Sequence, residues 1–112
     1  MSVLRRVDLD RREEILRGLE RLVRRLQETL SLEQTLLFGS FATGKIHEGS
    51  DIDLVLVGQF TERFHERIFR VLELNDENLP IEPLCYTPDE LEAMIREENP
   101  FILEVLRTGK KL

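Results

Sequence analysis

Apolar residues recur along this chain with two different periods, and each change of period marks a new element. Ile15, Leu16, Leu19, Leu22, Val23, Leu26 and Leu30 fall on one face at helical spacing. With Asp10 and Glu13 resembling a capping box, they predict a first helix over about Asp10 to Leu30. Its other face carries Arg17, Arg21, Arg24 and Arg25, with Glu13 and Glu20 four residues ahead of Arg17 and Arg24. That spacing favours a solvated, ion-paired surface over a nucleic-acid patch. Thr35 to Phe38 has the length and residue types of a short buried strand ending at Gly39. After a connection from Ser40 to Ser50, the segment Ser50 to Val57 reads as a strand stopped by Gly58. Both faces of its second half are apolar, which suits a central position in a sheet.

Phe64, Ile68, Val71 and Leu72 predict a helix over about Thr61 to Leu74, followed by a polar turn from Asn75 to Asn78. Pro80 to Tyr86 reads as a third strand. Thr87-Pro88-Asp89-Glu90 supplies a cap, a proline at the first helical position and a glutamate at the third, so a helix starts there with Leu91, Met94 and Ile95 toward the core. Asn99-Pro100 repeats the signal for a last helix from Phe101 to Thr108, stopped by Gly109 with Lys110 and Lys111 near its negative end. The order α, β, β, α, β, α, α implies an α/β (α+β) fold, a small sheet with helices packed on it, its strand directions still open.

At 112 residues, with 41% hydrophobic and 34% charged content, the chain has room for a single domain over residues 1–112 with a modest core. Its net charge of -6, with both signs interspersed, argues against direct binding to nucleic acid and makes a basic partner the better expectation. The lone cysteine, Cys85, sits in an apolar segment and fits a buried thiol in a reducing compartment. The N-terminal segment lacks the apolar run of a signal peptide, and the longest unbroken apolar stretch, Leu54 to Val57, is too short to span a bilayer. The expectation is a cytoplasmic protein with no membrane association.

The chemistry concentrates between Leu36 and Val57. Asp51 and Asp53 head a strand two residues apart, so their side chains share a face with α-carbons roughly 6.5–7 Å apart, an arrangement suited to metal ions. Gly39 to Lys45 formally matches the GxxxxGK phosphate loop, but Ile46 stands where that loop needs Ser or Thr, and Asp51 follows too soon for a helix. A purely structural alternative makes Gly39 a turn glycine, Ser40 a cap and the aspartates solvated residues. Like charges on one face beside a central strand repel unless a cation or a proton intervenes, which weighs against it.

Gly39-Ser40, Gly44 and Ser50-Asp51-Ile52-Asp53-Leu54 resemble the GSxxxG…SDIDL signature of the polymerase beta-like nucleotidyltransferase superfamily, and the small size resembles its minimal nucleotidyltransferase branch. The resemblance extends from Thr35 through the last helices. It implies a mixed sheet, two divalent ions (usually Mg2+) and transfer of a nucleoside monophosphate from an NTP, here expected to be ATP. It assigns Asp51 and Asp53 as metal ligands and catalytic residues, and Gly39, Ser40, Lys45 and Ser50 to the nucleotide. Backbone amides around Gly39-Ser40 and the Ser40 hydroxyl suit triphosphate oxygens. The third carboxylate of the family falls on Glu82, between Ile81 and Pro83, where an Asp is more usual; an edge-strand glutamate facing water is the alternative. Lys45 as a point charge on the triphosphate and Tyr86 as a stacking surface are secondary candidates, each with a structural alternative. His47 and His65 lack metal-ligand spacing.

Minimal nucleotidyltransferases of this kind resemble antitoxins paired with a small helical HEPN-type ribonuclease, in some cases adding AMP to a tyrosine. The resemblance therefore implies transfer to a hydroxyl of a partner protein, within a homo- or hetero-oligomer. Two rivals stand beside it: a binding module that neutralises its partner by occlusion, and an antibiotic-type small-molecule nucleotidyltransferase completed by another subunit.

Overall fold

The computed structural model describes the backbone of residues 2–44 and 51–112 and the side chains of residues 11–44 and 51–112. Its elements in order are α1 (Ser2–Leu30), β1 (Gln34–Phe38), α2 (Ser40–Thr43), β2 (Ile52–Val57), α3 (Phe64–Glu73), β3 (Ile81–Tyr86), α4 (Pro88–Arg96), α5 (Pro100–Thr108) and β4 (Lys110–Lys111). The strands form a four-stranded mixed sheet in the order β3-β2-β1-β4. β1 runs antiparallel to β2 and β4, and β2 is parallel to β3. The β2-α3-β3 unit supplies the crossover that a parallel pair requires.

β2 takes the interior position because its apolar residues fill both faces: Leu54, Val55, Leu56 and Val57 are at most 1% exposed. On one face Leu37, Ile52, Leu54, Leu56, Ile81 and Cys85 meet Leu19, Leu22, Val23 and Leu26 of α1, Phe41 and Ala42 of α2, and Val71 of α3. On the other, Leu36, Val55 and Val57 meet Leu91 of α4 and Ile102 and Val105 of α5. Among the described residues, no helix is long and apolar enough to cross a membrane.

The predicted caps are present. Thr87 accepts from the Glu90 amide while the Glu90 side chain accepts from the Thr87 amide, a reciprocal capping box. Asn99 accepts from the Ile102 amide. The start of the first helix differs: α1 begins at Ser2, so Asp10 lies inside a helix rather than at its cap. Two short elements were not anticipated, α2 after Gly39 and the β4 pairing of Lys110 and Lys111 with Leu37 and Leu36. Ile95, expected in the core, is 41% exposed.

α3 also turns differently from its predicted face. Val71 is fully buried, but Phe64 and Leu72 are 39% and 41% exposed, and the inward position between them is taken by Arg67. The Arg67 guanidinium donates to the Glu62 carbonyl at 2.8 Å, the Cys85 carbonyl at 3.2 Å and the Glu90 carboxylate at 2.6 Å. A buried cation is tolerable only when paired and hydrogen-bonded in this way.

These contacts also finish the sheet edge. The Ile52 amide donates to the Pro80 carbonyl and the Gly58 amide to that of Tyr86, so in β3 the backbone groups of Ile81, Pro83 and Cys85 turn outward. Pro83 has no N–H there, the Ile81 amide is used on the Leu79 carbonyl, and the Cys85 carbonyl is used by Arg67. The edge is thereby blunted against pairing with another strand.

Candidate active site

Strand register, unavailable from the sequence, brings the acidic residues together. Asp53 of β2 lies opposite Phe38 of β1 on one side and opposite Glu82 of β3 on the other. Residues opposite one another point to the same face. That face is the one covered by α4 and α5, because Val55 and Val57 follow Asp53 at the same parity and Leu84 and Tyr86 follow Glu82. Asp51 stands two residues ahead of Asp53, just before the strand. Phe38, Asp53 and Glu82 thus form a row across three strands, with Asp51 alongside, at the end of the sheet where β2 and β3 begin.

Asp53 is half-buried, whereas Asp51 and Glu82 are exposed. The negative charge of Asp51 and a hydrogen bond shared with it raise the Glu82 carboxyl above its ordinary value, and Asp53 adds to the effect. Burial raises the Asp53 carboxyl, a hydrogen bond from Glu82 offsets part of that, and the charge of Asp51 adds to it.

The turn after β1 is built around Asp53. Gly39 has φ 71° and ψ -152°, a backbone region open essentially to glycine alone. A β-carbon there would collide with the Asp53 carboxylate, standing 3.3 Å from its Cγ. Phe41 and Ala42 sink into the core beneath the sheet and anchor the short α2. The Gly39 carbonyl accepts from the amides of Ala42 and Thr43 at 3.1 Å each. Ser40, half-buried, is the first residue of that turn.

The family model described as Polymerase beta, Nucleotidyltransferase matches residues 20–112. The chain belongs to that family. A solved structure of similar fold is a protein from Sulfolobus solfataricus provisionally described as a nucleotidyltransferase. It is 19% identical, with a TM-score of 0.59 over 76% of this chain and 78% of that one. None of the curated proteins matches. The mixed sheet with helices on both faces is the polymerase beta-like fold that the resemblance implied, and the domain is of the nucleotidyltransferase type.

Domains of this family generally use an NTP and a divalent metal. The donors here suit such a metal in kind, because carboxylate oxygens are the ligands that hard divalent cations prefer. Among the described residues no three His, Cys, Asp or Glu side chains close around a single ion. Magnesium does not need a closed protein cage: it keeps waters and takes one or two carboxylates together with substrate phosphates. An open row of Asp51, Asp53 and Glu82 fits that kind of shared coordination.

The remaining candidates separate. Lys45, Ser50 and His47 lie outside the described residues. Tyr86 lies opposite Val57, four residues beyond Glu82, roughly 13 Å further along the strand, so it is not beside the carboxylates. Its ring instead packs on Phe64 with centroids 5.4 Å apart. His65 is exposed on α3, away from the row. Glu82 is at once an edge-strand residue open to solvent and a partner of Asp53. Phe38 was missed as a member of the row, because only the β1-β2 register puts it next to Asp53.

Proposed function

We propose that this chain is a magnesium-dependent nucleotidyltransferase that moves AMP from ATP to a hydroxyl of a partner protein, acting as the antitoxin of a small helical HEPN-type ribonuclease toxin. The observation that carries the catalytic reading is the register of Asp53 with Glu82, beside a glycine turn shaped around the Asp53 carboxylate.

In this reading Asp51, Asp53 and Glu82 would hold the two metal ions, which would supply positive charge against the phosphates and acidify the acceptor hydroxyl. The chain's own residues do the rest. The Ser40 hydroxyl and the amides of Ser40 and Phe41, which precede the Ala42 and Thr43 amides bonded to the Gly39 carbonyl, hold phosphate oxygens. Glu82, exposed on the outer strand, is met first by an acceptor arriving from beyond β3, and its carboxylate takes the hydroxyl proton. The hydroxyl oxygen bonds to the α-phosphorus, the α–β phosphoanhydride bond breaks, and pyrophosphate leaves with the electron pair.

The test combines the purified chain, the neighbouring gene's product, Mg2+ and ATP labelled at the α-phosphate. Label should appear on the partner protein and disappear with Asp51→Asn and Asp53→Asn. A second reading, neutralisation by occlusion, draws support from Ile95, Leu103 and Leu106, each about two-fifths exposed on α4 and α5 and available for docking without any carboxylate. Neutralisation that survives both aspartate substitutions, with no label transferred, would replace the first reading by the second.

A further inference from the structure

The row that holds Asp53 continues into an aromatic pair. Phe38, directly opposite Asp53, packs against Phe101 with ring centroids 5.5 Å apart and planes at 79°. Phe38 is half-buried, while Phe101 remains 39% exposed in the first turn of α5. The core does not require a ring at that position. Ile102 and Val105, 0% and 2% exposed, supply the buried face of α5, and Phe101 lies on its flank. An edge-to-face pair also holds the ring at a fixed tilt without covering both of its faces.

We propose that Phe101 is the platform on which the base of the incoming nucleotide stacks, with Phe38 setting its orientation. This rests on the nucleotidyltransferase reading and adds the subsite that distinguishes a nucleotide from bare triphosphate. The geometry suits it. Opposed β-carbons on neighbouring strands lie about 4.5–5.5 Å apart. Phe101 stands one ring further on, its centroid 5.5 Å from that of Phe38. In the proposed pose a ribose and an α-phosphate lie between that ring and the carboxylate row.

The chemistry of the platform also sets its selectivity. Every base has a π face, so stacking binds without reading base identity. The site should therefore prefer purines for their larger rings while discriminating weakly between adenine and guanine.

The test is calorimetric titration of a non-hydrolysable ATP analogue and of inorganic tripolyphosphate, each with Mg2+, into wild type, Phe101→Leu and Phe101→Ala. Leucine retains bulk against Phe38 and guards against a folding defect. Both variants should bind the analogue about tenfold more weakly, as expected for a lost base–aromatic stack, with tripolyphosphate affinity unchanged. Undiminished binding of the analogue to both variants overturns the platform and leaves the nucleotidyltransferase reading standing. Equal weakening of both ligands also overturns it, since the ring would then act through structure. Wild type that binds neither ligand overturns both.

Discussion

Gly39 leaves the space that the Asp53 carboxylate occupies: a β-carbon at residue 39 would collide with it, and the backbone there, at φ 71°, already disfavours any side chain. Gly39→Ala should therefore cost about 1–3 kcal/mol from backbone strain alone, with the collision added. In an Asp53→Ala background the collision is gone and only the strain remains. Urea denaturation of the four proteins in this cycle should show a smaller cost in that background. Equal costs in the two backgrounds would mean that the glycine serves the turn and not the carboxylate.

The carboxyl row should make the metal-free protein less stable as pH rises. Asp53 and Glu82 are held above their ordinary values of 3.8 and 4.5, so the folded state binds more protons than the unfolded state between those values and the raised ones. Stability falls as pH rises through that window and recovers on acidification back through it. Glu82→Gln should raise the melting temperature at neutral pH, with the gain fading toward pH 4.5. Glu90 shifts the opposite way, because its hydrogen bond to Arg67 lowers it, so its contribution is lost only below its ordinary 4.5.

Arg67 ties α3 to the outer strand and to the start of α4. Replacing it with Met leaves the Cys85 carbonyl and the half-exposed Glu90 carboxylate without their partner. The expected loss is about 2–3 kcal/mol in chemical denaturation, discounted for the exposure of Glu90. Lysine should not restore it, because one ammonium cannot reach the positions served by the planar fork.

Burial pushes the Cys85 thiol up to about 12, so it should resist thiol reagents at pH 8 in the folded protein and react in denaturant. Rapid labelling of the native chain would show that the outer strand opens readily.

Local signals were legible in the sequence where their partners lay nearby. The Thr87 box and the Asn99 cap each join residues three apart, and the continuous apolar run of β2 announces a strand covered on both faces. Arg67 could not be read in this way, because its partners Cys85 and Glu90 lie 18 and 23 residues away. α2 is one turn long, too short for a periodic signal, and two lysines carry no strand pattern of their own. The aspartate pair was visible from spacing alone. The opposition of Glu82 and Phe38 to Asp53 depended on strand direction and register, which three short apolar runs do not encode separately.

The carboxylate row itself is tested most directly by calorimetric titration of Mn2+ into the protein mixed with a non-hydrolysable ATP analogue, comparing wild type with Asp53→Asn. The variant should fold and should bind the metal–nucleotide complex roughly tenfold or more weakly. Equal affinity in the two proteins would contradict the proposed assignment of Asp53 to the metal and, with it, the candidate active site.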